Sequence, residues 1–148
     1  MAIRQVTPMG MVQARIREEI EKREQAIVSA FSYVGEACIR EARSNGTYRD
    51  RTGNLRSSIG YVVIKNGSVL YRGGFERVLS GAQGAQDGNA FVNQLIAEHG
   101  KGIALIVVAG MKYASRVEAM NYNVITSAEL LAERMVPRIM KELGFTTR

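Results

Sequence analysis

The stretch that decides the fold is Tyr48–Tyr61, YRDRTGNLRSSIGY, because it separates a long helical pattern from the first β-hairpin pattern. Asp50 and Thr52 carry oxygens that accept nearby backbone N–H groups, and Gly53 adopts positive φ at little steric cost. Asn54–Ile59 is typical of one helical turn that leads into a strand, with Leu55 and Ile59 four residues apart on one face. This interpretation leaves three arginines in solvent or at an interface: Arg49, Arg51 and Arg56.

Upstream, a helical period runs from about Met9 to Ser44, with apolar residues at three-, four- and seven-residue steps. A helix of about 36 residues is about 54 Å long, whereas a compact domain of this size is only about 40 Å across. Either the helix breaks, with Gly35 as one candidate, or its N-terminal part leaves the globule and lies against another subunit. The apolar stripe Val12, Ile16 and Ile20 is the candidate subunit interface. Residues 1–8 are expected to form a flexible arm.

Two motifs in this order resemble the minor tail component family of tailed phages, whose members belong to the neck or head–tail joining region. They are Asp50–Ile59, DRTGNLRSSI, and Lys112–Glu118, KYASRVE. The resemblance covers about residues 10–143. It implies a small α+β virion subunit, a neck, tail-completion or minor tail component, without enzymatic activity. Copies of such a subunit associate into a ring, and other neck and tail proteins of the phage are its partners. A six-fold ring is what this position in a virion implies. In place of the glycine turn that usually follows the second motif, this chain has Ala119–Asn123, where Asn121 can take a left-handed turn position.

Downstream, Tyr61–Lys65 and Ser68–Arg72 predict a hairpin, since Asn66-Gly67 separates them. A further short piece is expected within 75–79. Gly81–Gly88 has the composition of a mobile loop that orders on assembly; its glycines fit neither the dinucleotide nor the Walker pattern. Asn89–His99 predicts a short helix capped by Asn89.

Ile103–Ala109 is a continuous apolar run and predicts a central strand covered on both faces. Met111–Glu118 predicts a helical turn, with Ala114 and Val117 inward, Tyr113 at a polar edge, and Glu118 facing an arginine of the junction. Residues 123–126 are expected to form a short edge strand. Thr126–Glu129 matches a capping box and opens a last helix over 127–143. Its predicted buried residues are Leu130, Leu131, Met135, Val136, Ile139, Met140 and Leu143; Pro137 is expected to bend it and Gly144 to end it.

Length and composition favour one domain over residues 1–148. The predicted elements, and the resemblance, make it an α+β domain: a long helix, a small mostly antiparallel sheet within 48–126, and a C-terminal helix packed on the sheet. No apolar run approaches a membrane span, so no membrane is expected. No catalytic, cofactor-binding or metal-binding residue is predicted. Cys38 lies on the apolar side of the long helix, and Ser57 and Ser58 have only one histidine in the chain to activate them. That histidine, His99, lacks the further ligands that a metal site needs. We therefore expect no enzyme. The resemblance implies a location in the virion after assembly in the host cytoplasm.

The net charge of +6 leaves one alternative open, a small basic nucleic-acid-binding protein. Its phosphate contacts would come from Arg43, Arg49, Arg51 and Arg56. The surplus charge is spread evenly, with ten Lys and Arg against seven Asp and Glu in residues 1–56 and the same counts in 57–148. This distribution permits DNA to pass nearby but favours no specific binding face.

Overall fold

The computed structural model describes residues 8–111 and 114–145 and confirms the α+β class. The predicted arm, except Pro8, and the predicted position of Tyr113 lie outside the described residues. In chain order the elements are α1 Met9–Ser44, α2 Asn54–Ser57, β1 Ile59–Lys65, β2 Ser68–Gly74, α3 Ala82–Ala97, β3 Ile103–Ala109, α4 Ala114–Ala119 and α5 Thr126–Glu142. Helices α1 and α5 cover one face of the sheet and α3 covers the other.

Helix α1 is unbroken over its 36 residues. Gly35, the candidate break, is instead a point of close approach: a Cβ there would lie 2.3 Å from the ring of Tyr61. The buried residues of α1 begin at Val28 and continue to Ala42. The C-terminal half of the helix is therefore the part that covers the sheet.

The sheet has the order β2-β1-β3, and both neighbouring pairs are antiparallel. Strand β1 is central and buried from Ile59 to Ile64, whereas Val108 is the one buried residue of β3. The prediction of Ile103–Ala109 as a strand is confirmed, but its central position is wrong. An apolar run indicates that the side chains of a strand are shielded from water. It does not indicate whether the strand has a neighbouring strand on both sides.

The Asn66-Gly67 hairpin is confirmed. Both residues have positive φ, 51° and 81°, as a two-residue type I′ turn requires. The Asn66 side chain also accepts the Gly102 N–H at 2.9 Å, which ties the turn to the start of β3. Residues 75–78 form no helix or strand, because Phe75 turns the chain at a φ of 55° and packs its ring against Gly60.

The prediction of Gly81–Gly88 as a mobile loop is wrong, since α3 begins at Ala82 and runs to Ala97. Gly84 and Gly88 lie four residues apart on the face that meets the rest of the protein. A Cβ on Gly84 would lie 1.9 Å from the backbone oxygen of Asn54, so glycine allows this contact. Asn89 consequently lies inside the helix, where its side chain donates to the Ala85 oxygen, and does not cap it.

Helix α4 is present where a helical turn is predicted, and Asn121 takes the expected left-handed position at a φ of 66°. The expected strand over 123–126 is absent, because α5 begins at Thr126. The capping box does not form either. Asn123 accepts the Ser127 N–H at 3.0 Å and Glu118 accepts the Thr126 N–H at 2.9 Å, so two residues upstream of α5 cap it.

Helix α5 packs along α1, with its first turn anchored by the buried Ala128. The helix continues through Pro137, and Gly144 ends it at a φ of 89° as predicted. The bonds from the Phe145 N–H to the Met140 oxygen and from Gly144 to Lys141 complete a Schellman motif. The predicted buried side of α5 is partly wrong. Leu130 and Leu143 are exposed, and the other predicted residues are only partly buried: Leu131, Met135, Val136, Ile139 and Met140.

Candidate functional site

The N-terminal part of α1 extends beyond the globule. Val28 is the first buried residue, and an ion pair of 2.5 Å between Glu24 and Lys65 lies where the helix leaves the hairpin. Residues 9–23 therefore extend about 22 Å past the sheet. This overhang is the first candidate surface. Helix length predicted either an overhang or a break in the helix, and α1 is unbroken.

The overhang carries the predicted stripe in an exposed position. Ile16 is 55% exposed and Ile20 50%, while Val12 is partly exposed. Seven and eleven residues beyond Ile20, Ile27 and Phe31 continue the same face into the part of α1 that α5 and the sheet cover. One apolar stripe is thus covered at its C-terminal end and exposed at its N-terminal end.

The junction between α1 and β1 is held by the oxygens that the sequence indicated. The carboxylate of Asp50 accepts the N–H groups of Leu55 and Arg56, at 3.4 and 3.0 Å, and the Thr52 hydroxyl accepts that of Asn54. Gly53 has a φ of 76°. Leu55 and Ile59 are both buried, but in different clusters, because Ile59 already belongs to the strand. The junction is a rigid turn.

The arginines of the junction do not form one surface. Arg49 and Arg51 are exposed, whereas Arg56 lies over the Tyr48 ring at 5.7 Å from its centre. Arg43 turns inward and donates to the oxygens of Ile59 and Glu76. Two of the four arginines that nucleic-acid binding would use are thus engaged within the fold.

Tyr48 is a residue that sequence reasoning passed over. It is 7% exposed, and within residues 8–111 and 114–145 its hydroxyl meets no group at hydrogen-bonding geometry; the same holds for the buried Nε atoms of Arg43 and Arg56. Burial raises the pKa of Tyr48, against the lowering effect of the Arg56 guanidinium. A tyrosine at the end of a helix carries no sequence signal that its hydroxyl will be buried.

A cleft of about 710 Å³ opens beside the end of β3, between α4 and α5. Two acids line it, Glu118 and Glu129. Glu118 is directed at backbone, and its predicted pairing with an arginine of the junction does not form. Glu118 accepts the N–H groups of Val124, at 2.6 Å, and of Thr126, and also the Thr126 hydroxyl. This carboxylate therefore orders the start of α5, and the three bonds use most of its roughly four acceptor sites.

The candidate nucleophiles have structural partners. The Cys38 thiol is buried 3.4 Å from the Ala128 oxygen, and burial raises its pKa. The Ser57 hydroxyl accepts the Val78 N–H at 2.7 Å, and Ser58 donates to the Leu55 oxygen at 2.7 Å. His99 lies at the end of α3 with Nδ1 2.9 Å from the Leu95 oxygen. Cys38, Ser57 and Ser58 are buried and hydrogen-bonded, so they are poorly placed for nucleophilic attack.

Within the described ranges, no three His, Cys, Asp or Glu side chains are grouped so that they could hold a metal ion. None of the described helices has the length and apolarity that a bilayer crossing requires. Comparison with protein-family models, with curated proteins and with solved structures finds no significant match. The exposed surfaces of the molecule, above all the overhang of α1, are therefore the features that bear on function.

Proposed function

We propose that this protein is a structural virion subunit of a tailed phage or prophage, a neck, tail-completion or minor tail component that assembles as a ring at the head–tail junction. The observation that carries the proposal is the exposed apolar stripe Val12, Ile16 and Ile20 on an overhang of about 22 Å. A stripe that continues a covered face is typical of an interface between chains. The order and spacing of the DRTGNLRSSI and KYASRVE motifs add the phage context.

The alternative, a nucleic-acid-binding protein, is less well supported. Arg49 and Arg51 remain exposed, but Arg43 and Arg56 are engaged by carbonyl oxygens and by the Tyr48 ring. Phosphate binding would give an affinity that falls steeply with salt, so a DNA titration at two salt concentrations tests it. A measurable affinity at low salt that Arg49→Ala and Arg51→Ala remove would favour the alternative.

The stripe is tested by the double variant Ile16→Glu/Ile20→Glu. We expect light scattering to show assembly of the wild-type chain, alone or with its neck partners, and a monomer for the variant. The matched control is Ala14→Glu/Gln25→Glu, which adds the same charge at exposed positions off the stripe. Exposed substitutions change the free energy of unfolding by less than about 0.5 kcal/mol, so both variants should fold.

The virion assignment has its own test. Particles made without this protein should accumulate as separate heads and tails in electron micrographs, and the purified wild-type chain should join them. The stripe variant should fail to join them and the control variant should succeed. Absence of the protein from purified virions of the phage or induced prophage that encodes it would refute the proposal.

A further inference from the structure

Strand β3 has the sequence of a central strand but lies at an edge. Its seven residues, Ile103–Ala109, include no charged residue and no proline, and the strand pairs with β1 without a bulge. Natural sheets protect exposed edges with such devices, because an open edge invites pairing with another chain. The other edge, β2, has a register shift near the hairpin turn, and its one charged residue, Arg72, donates to the Asn89 and Asn93 side chains of α3. Strand β3 therefore has the sequence of a strand that pairs with a neighbour on both sides.

The direction of the backbone groups of β3 follows from the hydrogen bonds at its two ends. The Gly110 N–H donates to the Ser58 oxygen and the Asn66 N–H donates to the Gly102 oxygen. Because bonded and non-bonded pairs alternate along an antiparallel ladder, the even-numbered residues of β3 bond to β1. The unpaired outward N–H and C=O groups belong to Ile103, Leu105, Val107 and Ala109.

The direction of the backbone groups of β2 also follows from a hydrogen bond at its end. The Phe75 N–H donates to the Ile59 oxygen, and the register then assigns the Val63–Tyr71 pair to the bonded class. The backbone of Arg72 therefore faces outward from the sheet, as does that of Gly74. Strand β2 also exposes Val69, Leu70 and Tyr71 by 40–46%. Both edges of the sheet thus present seven-residue strands with open backbone groups.

The area that a stable assembly needs indicates that the overhang of α1 does not act alone. Half the surface of a helix segment about 22 Å long and 10–12 Å wide is about 380 Å², so docking it buries about 750 Å² in total. Stable interfaces bury about 1,200–2,000 Å². A paired edge strand about 23 Å long in a sheet about 10 Å thick supplies roughly another 450 Å². The overhang and one strand edge together reach the lower end of the stable range.

We propose that the free edge of β3 is occupied by strand β2 of a second copy of this chain, so that the sheet continues from subunit to subunit. This inference deepens and rests on the proposed ring. A closed ring of more than two copies needs two different surfaces on each subunit, and β2 and β3 are the two edges of one sheet. Within one subunit, β2 and β3 run in the same direction, so rotation about the ring axis makes the contact between copies parallel.

Amide hydrogen exchange tests the inference without substitution. On going from dilute to concentrated protein, the outward amides of Leu105 and Val107 in β3 and of Arg72 in β2 should each slow by about tenfold or more. The inward amides of Ala104, Ile106 and Tyr71, already bonded to β1, serve as internal controls and should not respond.

The outcomes are distinct. Slower exchange of the Leu105 and Val107 amides with no change at the Arg72 amide would show that two β3 strands pair about a two-fold axis. This result would overturn the assignment of β2 as the partner strand. Assembly with no change at any outward amide would overturn strand pairing and leave the ring intact. A chain that stays monomeric up to its solubility limit would overturn this inference as well, while the presence of the protein in virions would still decide the proposed function.

Discussion

Replacing Gly84 by alanine should destabilise the protein, although the same change stabilises an ordinary helix. Gly84 lies in the first turn of α3, where its N–H donates to the Asn54 side chain at 3.1 Å. A Cβ added there would lie 1.9 Å from the Asn54 backbone oxygen. Because that oxygen belongs to backbone in α2, relief of the clash requires α3 to move by about 1 Å or more against its neighbours.

Two effects of opposite sign set the magnitude. Alanine gains about 1 kcal/mol over glycine in a helix interior. Overpacking costs about 1–3 kcal/mol, and a contact with backbone belongs at or beyond the upper end of that range. We expect Gly84→Ala to lower the free energy of unfolding by about 2 kcal/mol, which for this chain length lowers Tm by about 4–8 °C.

Urea unfolding and thermal unfolding, both followed by circular dichroism, measure the effect. Gly10→Ala is the matched control, since Gly10 lies in α1 with no atom within 4 Å of the added Cβ. That variant should be equal in stability to the wild type or slightly more stable. A Gly84→Ala protein as stable as Gly10→Ala would mean that α3 does not pack on Asn54 as described, and the reasoning would fail.

Two further predictions concern buried hydroxyl and thiol groups. Tyr48→Phe should leave the free energy of unfolding unchanged or raise it by up to about 1 kcal/mol, because the buried hydroxyl makes no hydrogen bond to the described part of the chain. Tyr61→Phe should lower the free energy of unfolding by about 1 kcal/mol, because it removes the bonds of the Tyr61 hydroxyl with Glu36 and Ser32. Equal losses in the two variants, measured by urea unfolding, would show that Tyr48 does have a partner. Burial raises the pKa of Cys38 above its ordinary value of 9.0 and those of both tyrosines above 10.0, so the folded state holds these protons more tightly and stability should fall as pH rises above about 9. Urea midpoints that stay constant from neutral pH to beyond that value would contradict this linkage.

Local features of this chain were predictable because short-range chemistry determines them. Apolar periodicity predicts α1 over the residues where it occurs, and Asn66-Gly67 predicts the hairpin, since few other residues accept positive φ in succession. The oxygens of Asp50 and Thr52 reach only nearby N–H groups, so the junction too follows from sequence. Helix length against domain size left two alternatives, a broken helix or an overhang, and the unbroken α1 decides for the overhang.

The misjudged features depend on partners outside the short segment whose pattern was used. Glycines at 81, 84 and 88 are as typical of a loop as of a helix face pressed against backbone, and Asn54 and Phe75 decide between the two. Glu118 and Asn123 displace the predicted capping box because the turn after α4 carries them to the start of α5.

The position of β3 is the most consequential case for function. Its sequence determined that it would be a strand that avoids water, because its side chains are apolar throughout. Only the tertiary structure decided that it lies at the edge, since strand order depends on how the hairpin and α3 pack around β1. An edge strand with a central-strand sequence still has half of its backbone groups unpaired, and this is the physical reason to look for its neighbour in another copy of the chain.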